Sequence, residues 1–322
     1  MMKRLLLLLL VLLLVLPLGC TKKEPMEALR LGALKGPTAM GLVQLLQAAD
    51  AGTSPVPLAY TIAGAADELT PKFIQGELDM LALPINAASI LYNKLEGAAV
   101  LLCVNTLGVL YVVEKGGESV HSLKDLKGKT ILSTGKGNTP EQALRFLLRE
   151  QGLDMDRDVT MDFKSEPGQV LSELAMRESG IALLPEPYVT QAMEKVEGLR
   201  VALDLSEEWD KLGIDSRLIT AGLIVSRGYL EAHPEAVKAF LEAYSASALF
   251  VNGHPAEAGV LVEQYIGIPA TVAQQAIPSC HIVCIAGKDM QTMTEGYLCV
   301  LFEQDPRTVG GALPQEDFYY LP

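Results

Sequence analysis

Short apolar runs that each lead into a helix-period segment recur along this chain, and that alternation limits what it can fold into. Residues 28–34, 58–62, 79–83, 99–104, 129–133, 159–163, 180–184 and 218–225 read as buried strands. Strands alternating with helices predict α/β lobes with largely parallel sheets. The helices have their own signals. Leu42, Leu45, Leu46 and Ala49 fall on one helical face. Leu144, Leu147 and Leu148 form a similar stripe that fades at Gln151. Thr139-Pro140-Glu141-Gln142 reads as a capping box, in which the Thr139 hydroxyl accepts from an amide of the first turn and Gln142 reaches back.

The schedule repeats. Strand 29–34 runs into Lys35-Gly36-Pro37-Thr38, and strand 129–133 runs into Gly135-Lys136-Gly137-Asn138-Thr139-Pro140. About fifty residues after each comes a second unit ending in proline: Leu34 to Pro84 is 50 residues and Ser133 to Pro185 is 52. Two lobes built on one plan are therefore expected. In open α/β sheets ligands bind outside the carboxyl ends of the strands, where helix N-termini offer free N–H groups and partial positive charge. Two facing lobes would make a cleft that can close on a small molecule.

The N-terminus reads as an export signal. Lys3 and Arg4 precede an unbroken Leu/Val run, residues 5–16, closed by Pro17-Leu18-Gly19-Cys20. That run is shorter than the ~20 residues a bilayer core requires. The Gly-Cys ending resembles a bacterial lipobox with Cys20 as the lipidated residue, except that Pro17 stands where that motif usually has Leu. Residues 1–19 are expected to be removed, and Thr21-Lys22-Lys23-Glu24-Pro25 reads as a tether within 20–25. Acyl chains contribute about 0.8 kcal/mol per buried methylene, enough on a multiply acylated Cys20 to hold the chain at a membrane.

Composition narrows the partners. The formal net charge is −13, and losing the two positive charges of Lys3 and Arg4 takes it to −15. An acidic chain without clustered Lys and Arg argues against nucleic acid. Apolar content of 49% suffices for real cores. Beyond Cys20 the cysteines are Cys103, Cys280, Cys284 and Cys299. Cys280-His281-Ile282-Val283-Cys284 invites a metal reading, but no second ligand pair appears, so no metal is expected. In an oxidising compartment a disulfide among Cys280, Cys284 and Cys299 is one alternative; buried free thiols are the other.

With these features in order, the chain resembles the solute-binding proteins of nitrate, sulfonate and taurine importers and their thiamine-pyrimidine-binding relatives. The resemblance rests on Leu34 to Gly41, Gln75-Gly76-Glu77-Leu78-Asp79-Met80, Leu83-Pro84, Gly135 to Thr139, Leu183-Leu184-Pro185-Glu186-Pro187-Tyr188 and Phe318-Tyr319-Tyr320. It implies a two-lobed α/β fold of the periplasmic-binding-protein type II class with two hinge-crossing strands, near Gly108 to Val113 and Leu218 to Ile224. Lobe one would hold 26–109 and 222–322, and lobe two 110–221. The C-terminal helices, including 234–250 and 256–266, would pack back on lobe one.

Under that fold the candidate ligand contacts are Gly36, Thr38, Asn86, Thr106, Asn138, Thr139, Glu186, Tyr188 and Thr220. Gly36 permits close backbone approach, and Thr38 offers a hydroxyl or caps its helix. Asn86 suits a ligand contact or a turn equally. Asn138 and Thr139 are the lobe-two counterpart. Tyr188 can stack on a planar ligand; Glu186 can pair with a cationic or N–H-rich group, or cap the helix it begins. Thr106 and Thr220 stand near the crossings, as cleft floor or as plain strand residues. Lys35 offers charge to an anion, but these loops carry no Arg cluster of the kind a sulfonate favours.

The function expected from this is an extracytoplasmic solute-binding component of an ABC importer. Its partners would be a small-molecule solute, the permease subunits and, through the lipid anchor, a membrane, with the protein itself a monomer. A ligand-sensing lipoprotein not coupled to transport is the alternative. A pyrimidine-precursor synthase is a weaker one, since His121, His233, His254 and His281 avoid the cleft loops and no nucleophile elbow, phosphate loop or metal-ligand spacing appears. No cofactor and no catalytic residue is expected.

Overall fold

The computed structural model describes residues 27–321. The signal segment 1–19, Cys20 and the tether 20–25 lie outside the described residues. Eleven strands form two mixed sheets. The first contains β1 (Leu29–Leu34), β2 (Leu58–Ala63), β3 (Met80–Pro84), β4 (Ala99–Leu107), β10 (Ile219–Ser226) and β11 (Ile282–Ile285), in the order β11-β4-β10-β3-β1-β2. The second contains β5 (Leu110–Lys115), β6 (Thr130–Ser133), β7 (Thr160–Phe163), β8 (Gly180–Pro185) and β9 (Leu199–Asp204), in the order β7-β6-β8-β5-β9.

The repeated schedule is visible in these orders. Without the edge strand β11, each sheet has the same pattern: second strand, first, third, a crossing strand, then fourth. In the first sheet β1 pairs in parallel with β2 and β3, while β10 runs antiparallel between β3 and β4. In the second, β6 pairs in parallel with β7 and β8, while β5 runs antiparallel between β8 and β9. Each crossing strand is contributed by chain arriving from the other sheet. The sheets are therefore mixed, not nearly all parallel. Ile219 to Ala221 already pair with β4 and β3, so the first sheet begins a few residues before the expected lobe boundary at 221/222.

All eight strands expected from apolar runs are present, shifted by one to three residues at their ends. β5 was expected only as a crossing implied by the resemblance, and β9 and β11 were not expected. β9 is an edge strand whose Arg200 and Asp204 break the apolar run, and only Leu199 and Leu203 of its side chains are buried. β11 has four residues and irregular pairing to β4.

The helices cover both faces. One face of the first sheet buries Leu29, Leu31, Cys103 and Leu223 against Val43, Leu46, Val237, Phe240, Tyr244 and Val262. These come from the helices Val43–Asp50, Pro234–Gly253 and Pro255–Ile266. The opposite core runs without interruption from the first sheet into the second, through Leu101, Ile224, Phe146, Trp209, Tyr297 and Leu298. The long helix Gly287–Gln304 supplies Tyr297 and touches both lobes, so it does not pack on lobe one alone. A smaller core backs the other face of the second sheet around Val113, Leu132, Leu174 and Leu184. At the chain's end Tyr320 N donates to Leu101 O at 2.9 Å, and Phe318 packs edge-on against Tyr92. Among the described residues no helix is long and apolar enough to cross a membrane.

Candidate functional site

The carboxyl ends of β1, β2, β3, β6, β7 and β8 converge on one cavity of about 570 Å³ between the lobes. Lobe one lends Leu34, Lys35, Pro37, Thr38, the turn Gly64 to Glu68, and Pro84. Lobe two lends Thr134 to Lys136, Asn138 to Pro140, Lys164, Ser165, Pro167, Pro185, Glu186 and Tyr188. Val109, Leu110, Thr220 and Ala221, at the two crossings, form its floor. Strand ends meet there because parallel strands feed their helices on one side, and two copies of that plan face each other.

Of the nine residues singled out in the sequence, Thr38, Asn138, Thr139, Glu186, Tyr188 and Thr220 line this cavity. Gly36, Asn86 and Thr106 are not among its lining residues. Gly36 adopts φ 108°, a glycine conformation, and a Cβ there would stand 4.0 Å from the Glu186 carbonyl oxygen across the gap. Asn86 is fully buried and spends its amide on protein: Nδ2 donates to Gly137 O at 3.0 Å and to Thr308 O at 3.3 Å. Thr106 is likewise fully buried, and its hydroxyl donates to Asn105 Oδ1 at 3.1 Å. The turns after β2 and β7 went unnoticed, although both strands were legible and the same carboxyl-end rule selects them.

The expected capping box does not form. Asn138 occupies the N-cap position of the helix Thr139–Glu150 without a side-chain capping bond, and Thr139 is its first residue. The Thr139 hydroxyl turns back to Thr220 O at 3.1 Å and to Asn86 Oδ1 at 3.5 Å. The carboxylate that folds over this helix start belongs to Glu141, whose Oε2 accepts from Gly137 N at 2.7 Å. A local cap motif yields here to two long-range partners.

Other helix starts are answered by their own acids. Glu68 Oε1 accepts from Gly64 N and Ala65 N at 3.1 and 3.0 Å. Glu186 Oε2 accepts from Thr190 N, and Oε1 from the Thr190 hydroxyl, both at 3.1 Å. These carboxylates neutralise much of the positive potential that helix N-termini would turn on an anion. Lys164 is held by Asp162 at 2.9 Å and Glu173 at 2.7 Å. Lys35 and Lys136 are exposed on the rim and form no ion pair among the described residues.

Glu186 is buried, and burial pushes its carboxyl above the usual carboxylate range, with the Thr190 hydrogen bonds and the His281 charge pulling the other way. Burial also raises the Tyr188 phenol, with the Glu166 charge adding to it. Thr220 lines the cavity, and its hydroxyl is buried with no hydrogen-bond partner among the described residues. The arrangement can enclose a small solute, present hydroxyls from both lobes, and offer one buried carboxyl and one aromatic ring. Among the described residues no cluster of three or more His, Cys, Asp or Glu could hold a metal ion.

Three comparisons bear on this site. The family model described as NMT1/THI5 like matches residues 86–258. No curated protein matches the sequence. Solved structures match over most of the chain. A structure described as an ABC transporter from Parabacteroides distasonis is 24% identical, covers 92% of this chain and 98% of its own, and has a TM-score of 0.73. The periplasmic aliphatic sulphonate binding protein SsuA from Escherichia coli is 17% identical, covers 92% of each chain, and has a TM-score of 0.73. The periplasmic nitrate-binding protein NrtA from Synechocystis PCC 6803 is 13% identical, covers 76% of this chain and 68% of its own, and has a TM-score of 0.59. These likenesses establish the periplasmic-binding-protein fold.

Proposed function

The chain belongs to the NMT1/THI5-like family, and from that premise we propose that it is the extracytoplasmic solute-binding component of an ABC importer, carrying a small organic solute to a permease. One observation carries the reading: a cavity of about 570 Å³ whose walls come from both lobes and whose floor is the pair of crossings. A solute held there touches both lobes at once, so binding favours closure and the closed form can be recognised by a partner. The export-type N-terminus with Cys20 supports a membrane-tethered protein. The fold-level likeness to SsuA and NrtA supports the same role.

The lining also favours a class of solute. The cavity is far larger than an inorganic anion requires, and Glu68, Glu141 and Glu186 occupy amide groups at three helix starts. Glu186 places an acceptor in a buried wall beside the Tyr188 ring. The solute favoured is a planar or partly planar organic molecule bearing N–H donors, stacked on Tyr188 and held by Glu186, with Thr38, Asn138 and Thr220 bonding its remaining polar groups, while the Thr139 hydroxyl stays on Thr220 O.

The deciding experiment is mass spectrometry of small molecules released on denaturing protein taken from its native host, followed by calorimetry with the released compound. A stoichiometric organic compound whose affinity falls by about 1 kcal/mol or more in Tyr188→Ala supports stacking. Stoichiometric nitrate or sulfate would overturn the solute class. Protein that releases nothing, and is stabilised by no compound across a broad thermal-shift screen, would count against solute capture itself.

A further inference from the structure

Cys103 lies in β4, and Cys284 lies in β11, the edge strand beside it. Antiparallel pairing sets Ile285 opposite Val104 and Ile282 opposite Thr106. The register shifts between those two pairs, and counted from Ile285 it places Cys284 one diagonal step from Cys103 on the same face of the sheet. Core membership agrees: Cys103 belongs to the cluster built on Phe240 and Tyr244, and Cys284 packs against that cluster, whereas its neighbours Val283 and Ile285 pack against the opposite one. Each thiol is the strongest influence on the other's protonation, pushing Cys103 up and Cys284 down. Cys103 is fully buried, and Cys284 is partly exposed. Cys299 stands apart on the helix Gly287–Gln304, its thiol directed at Glu303.

We propose that Cys103 and Cys284 are a modification site: a dithiol that a disulfide oxidant converts into a disulfide between β4 and β11. This differs from the pairing among Cys280, Cys284 and Cys299 expected from chain proximity. The partly exposed Cys284 thiolate attacks one sulfur of the oxidant's disulfide, and the oxidant's other sulfur leaves as a thiol. Cys103, once deprotonated, attacks Cys284 Sγ in the mixed disulfide and displaces the second sulfur. Two electrons and two protons pass to the oxidant, which departs as two thiols. The mutual interaction of the thiols lowers the Cys284 pKa, while that interaction first and burial second raise that of Cys103, which suits this order of attack.

The link would enclose every strand of the second sheet in one covalent loop, since β5 to β9 all lie between the two cysteines. A loop that long restricts the unfolded chain strongly. It would also pin the edge strand beside the first crossing, where His281 Nδ1 meets Gly108 O at 2.5 Å.

The test uses the mature chain, reduced and then exposed to oxidised glutathione, with alkylation and peptide mapping. The expected product is a peptide pair joined through Cys103 and Cys284, with Cys280 and Cys299 still alkylatable after denaturation. The oxidised protein should melt higher than the reduced protein by roughly 5 °C or more, reversibly on adding dithiothreitol. Cys284→Ser should abolish both the joined peptide and the oxidant-dependent shift; if that variant does not fold, mapping of the unaltered chain decides. Alkylation of both Cys103 and Cys284 after oxidant exposure, a glutathione adduct on Cys284 without a link, or a link through Cys280 or Cys299 would overturn the proposal.

Discussion

Asn86 Nδ2 donates to Gly137 O at 3.0 Å, and this bond crosses from the first lobe to the second. Asn86 lies in the first turn of the helix Ile85–Lys94 that follows β3, while Gly137 sits in the loop that follows β6. The Asn86 carbonyl oxygen also accepts from the Thr139 hydroxyl at 3.5 Å. Both bonds require the lobes to be together, so they bias the molecule toward the closed form. Asn86→Ala removes the latch without changing the cavity wall. Loss of about 1 kcal/mol from the closed state should weaken solute binding roughly fivefold to tenfold. Calorimetric affinity within twofold of the original protein would show that the latch does not contribute to closure.

Thr220 makes a separate test, because it lines the cavity and its buried hydroxyl has no partner among the described residues. A buried hydroxyl left unpaired is costly, and a solute atom that bonds it recovers that cost. Thr220→Val should therefore weaken binding by about 1–2 kcal/mol while leaving the melting temperature of the unliganded protein unchanged or slightly higher. A variant that melts lower and binds normally would assign Thr220 a structural role only.

Much of this architecture was legible, and the failures have a common cause. The matched spacings from Leu34 to Pro84 and from Ser133 to Pro185 reappear as the shared strand order of the two sheets. Apolar runs report burial directly, which is why the parallel strands and β4 and β10 were readable, whereas β5 entered only as a crossing implied by the resemblance. Local rules gave way where a residue's partner lies far along the chain. Thr139 looks like a cap until Thr220 and Asn86 are brought to it. Asn86 looks like a ligand contact until Gly137 and Thr308 claim its amide. A helix start says that a donor is available and nothing about which neighbour takes it. The Cys103–Cys284 contact was hidden for the same reason, since strand pairing joins them across the entire second lobe.

Glu186 links stability to pH. Its folded pKa is raised, chiefly by burial. Such a carboxyl binds its proton more tightly folded than unfolded, so its stabilising contribution is fully present below the unfolded value and is lost as pH rises through the folded value. Above the folded value its charge is a burden on the unliganded protein. Glu186→Gln should raise the melting temperature at pH 7, with a smaller difference near pH 4. The same change should weaken a solute that donates N–H groups to the carboxylate. A melting temperature lowered equally at both pH values would point to the Thr190 hydrogen bonds, not the buried charge, as what Glu186 supplies.

The only tryptophan offers a direct view of lobe movement. Trp209 is fully buried, with its ring centroid 4.6 Å from Phe146 and 5.6 Å from Tyr297. Phe146 belongs to the helix that starts at the cavity wall, and Tyr297 to the C-terminal helix that spans the lobes. Relative motion of the lobes must therefore change what the indole touches. Solute titration should alter Trp209 emission with a midpoint equal to the calorimetric dissociation constant. Trp209→Ala should cost about 3–5 kcal/mol of stability through the cavity it leaves. Emission unchanged at saturating solute would mean that the C-terminal helix and the second lobe travel as one body, and closure would then have to hinge elsewhere than at this aromatic seam.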